Sequence, residues 1–148
     1  MRFLRSAVLV LAAGCGGMQA AAQPAPPPAA VLAERAAERF PQPVLVGDLI
    51  GRQVLRHLPS QPTLGWVRNV VRTSGGNVEV IVDYGGWFGV FDRPIAVPVE
   101  AMTLLGEYME IVELTPEQLD TLATYDGAGA SPVPHDEMIQ VGLGYPAH

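Results

Sequence analysis

The 148-residue sequence contains no lysine, so all nine of its basic residues are arginine. It has a single cysteine, Cys15, which excludes an internal disulfide framework. Its three histidines, His57, His135 and His148, are far apart and lack the spacing of a zinc site. The sequence therefore predicts a domain that depends on its hydrophobic core, without disulfides or a structural metal.

Motifs of enzyme chemistry are also lacking. The sequence has no P-loop, no dinucleotide-binding glycine motif before a helix, and no G-x-S-x-G nucleophile elbow. Four carboxylates could in principle serve as an acid and base pair, but they are expected at strand ends and on outward faces: Asp83, Asp92, Glu100 and Glu110. We predict a protein without catalytic residues, metal ligands or cofactor.

The first 22 residues have the layout of a secretory signal peptide. Arg2 and Arg5 precede a short apolar run at 7–13, and small residues end at Ala22. The apolar run is too short for a membrane-spanning helix, which needs roughly 20 residues. Cleavage near Ala22 predicts a periplasmic or secreted protein.

A second way of processing the amino terminus stays open at Cys15. Residues 11–15, L-A-A-G-C, resemble the site at which bacterial lipoproteins are cut and lipidated on cysteine, although Ala12 stands where leucine is usual. Lipidation would tether the domain to a membrane, whereas cleavage near Ala22 removes the cysteine. The departure from the usual motif favours ordinary cleavage.

After removal of residues 1–22, the chain has a strong negative charge. Seven arginines remain against fifteen acidic residues, a formal net charge of −8. Such a chain is repelled by nucleic-acid phosphates and by anionic lipid headgroups. We therefore predict no nucleic-acid partner, and contact with a membrane only if Cys15 is lipidated.

Composition divides the rest of the chain into three parts. Residues 23–43 are predicted to be a Pro/Ala-rich linker and a short helix, 44–125 a β domain, and 126–148 a flexible tail. The centre of the β domain is the stretch 78–99, in which alternating strands flank a glycine-rich aromatic turn. A β-bulge is expected near Asn69, and a capping box is expected to start a helix at Thr115.

Five segments of this β domain follow one another in a recognisable order: G-D-L-I-G-R-Q-V at 47–54, L-G-W-V-R-N-V at 64–70, G-G-W-F-G at 85–89, I-A-V-P-V at 95–99 and L-T-P-E-Q-L at 114–119. In order and spacing they resemble the PRC-barrel family, which is named after the barrel of the photosynthetic reaction-centre H subunit. The resemblance implies an all-β fold, a small β-barrel of five to six short strands with an N-terminal helix and a C-terminal closing helix.

The resemblance also implies a non-enzymatic module for protein–protein interaction or assembly, here as an exported member of the family in the bacterial envelope. The partner would be an unknown envelope protein, and a strand-edge homodimer is compatible with so small a barrel. The expected contact residues are the aromatics Trp87, Phe88 and Phe91 of the 85–91 loop, with Trp87 and Phe88 either projecting as an anchor for the partner or filling the barrel. A small-ligand or metal-binding periplasmic protein is the alternative, and its metal version would use His135, Asp136 and Glu137.

Overall fold

The computed structural model describes residues 24–86 and 92–145 of the chain. Three short helices and nine strands follow one another, with a 3-10 turn at Val99–Ala101 between β5 and β6. The helices are α1 (Ala29–Ala37), α2 (Val46–Leu49) and α3 (Pro116–Thr121). The strands are β1 (Pro41–Leu45), β2 (Gln53–Arg56), β3 (Thr63–Thr73), β4 (Val78–Tyr84), β5 (Arg93–Pro98), β6 (Met102–Leu105), β7 (Tyr108–Ile111), β8 (Ala130–Pro132) and β9 (Met138–Leu143).

The strands form one mixed sheet of nine strands in the order β1-β9-β6-β7-β2-β3-β4-β5, with β8 paired to β3. Most neighbours are antiparallel, but β2 pairs with β7 and β6 with β9 in parallel. The two ends of the order, β1 and β5, are not paired with each other, so the sheet is open. The structure is predominantly β, and the prediction of a closed barrel of five to six strands is wrong.

The segment after Tyr125 explains much of this difference. The sequence predicts a flexible tail there, but the segment contributes β8 and β9, and β9 lies between β1 and β6. Val133, Ile139 and Val141 are buried in the core. The glycines and prolines of 127–134 are typical of loops and suggest a tail, although this stretch contains β8 and leads into β9.

The hairpin of β3 and β4 is the most extensive strand pair and agrees with the sequence. Residues 74–77 connect the two strands, and Arg72 lies opposite Val78. The register shifts between Val67 and Asn69, which confirms the predicted β-bulge. The buried residues Val67, Val70, Val80 and Val82 of this pair belong to the main hydrophobic core.

Helix α3 begins as the sequence predicts. The Thr115 side chain accepts a hydrogen bond from the Gln118 backbone, and the Gln118 side chain accepts one from the Thr115 backbone, so the capping box is confirmed. At the other end, the Arg93 guanidinium donates to the carbonyl oxygens of Leu119 and Leu122 at 3.0 and 2.7 Å. Because it donates to carbonyls at the C-terminal end of α3, Arg93 joins this end of the helix to β5.

Tyr84 makes a second connection to α3 from the end of β4. Its hydroxyl donates to the Asp120 carboxylate at 2.7 Å. Burial, together with this hydrogen bond, raises the pKa of the Tyr84 phenol to about 12. None of the helices in the described residues is long and apolar enough to cross a membrane.

Candidate functional site

A buried glutamate stands in the middle of the sheet. Glu110 lies on β7, between β6 and β2, opposite Thr103 on one side and Leu55 on the other. Because neighbouring strands place paired residues on the same face, Thr103, Glu110 and Leu55 face away from the core residues Met109 and Ile111. This face is nevertheless covered, since Glu110 is 0 % and Thr103 1 % exposed.

The burial of Glu110 differs from what its sequence position predicts. An outward-facing, solvated carboxylate is expected from the alternation of β7, and that expectation is wrong. The alternation correctly separates Met109 and Ile111 from Tyr108 and Glu110. It does not reveal that β7 is a central strand whose second face is also covered.

The Glu110 carboxylate has few polar partners. Its Oε2 lies 3.0 Å from Nδ1 of His57, an ion-pair distance when the imidazole is protonated. Oε1 has no hydrogen-bond partner among the described residues, and neither has the buried Thr103 hydroxyl. Buried polar groups are normally hydrogen-bonded, because an unsatisfied one costs about 1–3 kcal/mol and a charged one more.

These groups line an open cavity of about 540 Å³, here called the Glu110 cavity. Its floor lies on β6 and β7, and its walls come from the end of α1, the residues after β2 and the end of β9. Its principal lining residues are Arg39, Phe40, His57, Thr103, Glu110 and Tyr145. The volume lies within the range of about 300–1,000 Å³ that is typical of small-molecule sites.

Gly144 allows the end of β9 to come close to the floor of the cavity. A Cβ at this position would lie 2.5 Å from the Thr103 hydroxyl oxygen and 3.0 Å from the Leu104 carbonyl oxygen. The Gly144 backbone N–H donates to the Leu104 carbonyl at 2.7 Å. The absence of a side chain therefore permits this hydrogen bond and places Tyr145 at the cavity wall.

The second carboxylate of the cavity is bound by arginines. Glu113 pairs with Arg35 at 2.7 Å through one oxygen and with Arg39 through the other. Arg39 also donates to the Glu100 carbonyl at 3.0 Å. Burial, and next the charge of Arg35, lower the pKa of the Arg39 guanidinium from its ordinary value, while Glu38 opposes the shift. This network attaches α1 to the residues after β7 and neutralises Glu113.

The metal alternative finds no support in the structure. Among residues 24–86 and 92–145, no three His, Cys, Asp or Glu side chains come together as they would to hold a metal ion. In the sequence-predicted trio His135, Asp136 and Glu137, the Glu137 carboxylate accepts a hydrogen bond from Arg72 at 2.6 Å. This ion pair joins the segment before β9 to β3.

Several predicted residues lie outside the described part of the chain. They are the contact aromatics Trp87, Phe88 and Phe91 and the lipidation candidate Cys15. Protein binding through the 85–91 loop therefore stays a prediction. Sequence reasoning missed the Glu110 cavity, because His57, Thr103 and Glu110 come from three separate segments that only the strand order brings together.

No family model matches the chain, and a search of curated proteins finds no match. The resemblance to the PRC-barrel family therefore stays a prediction.

Proposed function

We propose that this chain is a non-enzymatic domain that binds a small molecule in the Glu110 cavity. The observation that carries the proposal is the fully buried Glu110 carboxylate, which lines a cavity of ligand size and whose Oε1, like the neighbouring Thr103 hydroxyl, has no hydrogen-bond partner among the described residues. A ligand that donates hydrogen bonds would satisfy it.

The energetic cost of Glu110 supports a role in binding. Replacing a buried ion pair with well-packed apolar residues often leaves stability unchanged or increases it by about 1–4 kcal/mol, and here the partner His57 is half exposed, so it stays hydrated without Glu110. Met109 and Ile111, its neighbours on β7, supply the apolar packing on the core face. An apolar side chain at position 110, on the other face, would therefore stabilise the fold about as well as the glutamate does.

The engagement of one cavity carboxylate by arginines supports binding over catalysis in our proposal. Of the three glutamates that line the cavity, Glu113 is not free to exchange protons with a substrate, as general acid–base catalysis requires. Glu113 is held by Arg35 and Arg39. Glu110 therefore acts in our proposal as a hydrogen-bond acceptor for the ligand.

A thermal-shift panel of four probes of different charge and polarity tests this function: benzylamine, benzyl alcohol, benzoate and glucose. Because a ligand that binds only the folded state stabilises it, we expect at least one probe at millimolar concentration to raise the Tm by about 2 °C or more. The Glu110→Gln variant is expected to change this shift, measured against its own Tm without ligand.

Glu107→Gln is the matched control, since it makes the same chemical change at an exposed position between β6 and β7. Its thermal shifts should equal those of the wild type. The function is contradicted if none of the four probes raises the Tm, or if the shifts are the same in the wild type and in Glu110→Gln.

We also propose, from the composition of residues 1–22, that the domain is exported and meets its ligand outside the cytoplasm. The intact mass of the protein isolated from its host is expected to match a chain that begins at Gln23. A chain that begins at a lipidated Cys15 would establish the membrane-tethered alternative. Uncleaved protein in the cytosol would show that the domain is not exported.

A further inference from the structure

We infer that the ligand of the Glu110 cavity is a small organic cation, a primary ammonium group carried on an aromatic or aliphatic body. The inference rests on the proposed function and specifies its ligand class. Three properties of the cavity support it: the balance of charge in its lining, the number of unpartnered acceptors on its floor, and the aromatic side chains in its wall.

The charge of the lining favours a cation. Three glutamates line the cavity, Glu38, Glu110 and Glu113, against one arginine and His57. The arginine is Arg39, which pairs with Glu113, and Arg35 pairs with the same carboxylate from outside the lining. Before His57 is counted, three carboxylates against these two arginines leave one negative charge, which favours a cation over an anion.

The hydrogen-bonding groups of the floor suit an ammonium group. Two buried acceptor atoms lack a partner among the described residues, Glu110 Oε1 and the Thr103 hydroxyl oxygen, while Glu110 Oε2 lies 3.0 Å from His57 Nδ1. A primary ammonium has three N–H donors and no acceptor. An anion or an ether offers no donor to these atoms and would leave them unsatisfied.

His57 covers the carboxylate and has to move for the ligand to reach it. The His57 side chain is 45 % exposed while that of Glu110 is 0 % exposed, so the imidazole lies between the carboxylate and solvent. His57 follows the end of β2, where its ring can turn towards water. In our account the ammonium group then replaces the imidazole as the partner of Glu110.

The wall of the cavity offers a surface for the body of the ligand. Phe40 and Tyr145 both line it and are 67 % and 64 % exposed. The Leu143 backbone N–H donates to the Phe40 carbonyl at 2.9 Å, which holds the two ends of the wall together. Exposed aromatic rings beside a negative floor bind an apolar body and, through their faces, a cation.

Isothermal titration calorimetry with benzylamine, benzyl alcohol and benzoate tests the inference on the wild type, Glu110→Gln and Glu107→Gln. Benzylamine and benzyl alcohol have nearly the same shape and differ in charge. We expect benzylamine to bind at least about 10-fold more tightly than the alcohol, because hydrogen bonds to charged groups are the stronger ones. Glu110→Gln should weaken benzylamine binding by at least about 10-fold, and Glu107→Gln by less than about 2-fold.

The outcomes separate the ligand class from the function. Tighter binding of benzyl alcohol or benzoate than of benzylamine, with sensitivity to Glu110→Gln, would overturn the cation and leave the binding function standing. Failure of all three compounds to bind would contradict both. If Glu110→Gln does not fold by circular dichroism, Thr103→Val serves instead, and it should weaken benzylamine binding by about 5-fold through the loss of one acceptor.

Discussion

Gly65→Ala is expected to lower the free energy of unfolding by about 3 kcal/mol or more. Gly65 lies on β3 between Val54 of β2 and Tyr84 of β4, so a neighbouring strand flanks it on both sides. A Cβ at this position would overlap the backbone carbonyl oxygen of Asp83. That carbonyl belongs to the ladder of β3 and β4, so relief of the overlap requires the two strands to move apart.

Urea denaturation followed by circular dichroism measures this effect. Gly75→Ala is the control, because a Cβ at Gly75, in the turn of the same hairpin, would meet its nearest atom at 3.8 Å. The control should change the free energy of unfolding by less than about 1 kcal/mol. Equal stability of Gly65→Ala and Gly75→Ala would show that β3 and β4 do not pair in this register.

Glu110→Met is expected to raise the free energy of unfolding by about 1–3 kcal/mol while it abolishes benzylamine binding. Methionine has a similar length and a flexible chain, and it needs no hydrogen bonds in a position where Glu110 Oε1 has no partner among the described residues. The His57 side chain loses its partner in this variant, but it is half exposed and stays hydrated.

The same urea denaturation measures the stability of this variant. Glu107→Met is the control at an exposed site of the same β6–β7 hairpin, where we expect a change of about 0.5 kcal/mol or less. A loss of stability in Glu110→Met by more than about 1 kcal/mol would mean that the glutamate stabilises the fold itself. Glu110 would then be a residue that stabilises the fold, and its burial would no longer support a role in ligand binding.

The sequence was sufficient for those parts of the fold that local patterns determine. The β3–β4 hairpin, the bulge near Asn69 and the cap at Thr115 depend on residues close together in the chain, and the structure contains all three. The strand order depends on distant residues. Two parallel pairs, β2 with β7 and β6 with β9, join segments that no local signal links, and their presence makes the sheet mixed.

The candidate site could not be predicted from the sequence for the same reason, because it depends on contacts between distant segments. Alternation assigns Glu110 to the face opposite Met109, and this face looks solvated as long as β7 is treated as an outer strand. Strands β6 and β2 pair with the two edges of β7, and its second face is buried as well, with the residues after β9 beside Thr103. His57 gave no sequence signal either, since an isolated histidine after a short strand has no motif around it.

The most direct test of binding in the Glu110 cavity is a titration of the isotope-labelled protein with benzylamine, followed by amide chemical shifts. Our account predicts saturable shifts at the amides of Thr103, Glu110 and Gly144, with little change at Gly75 and Asn77 in the distant β3–β4 turn. Absence of saturable shifts at the three cavity amides, or shifts confined to other parts of the chain, would contradict it.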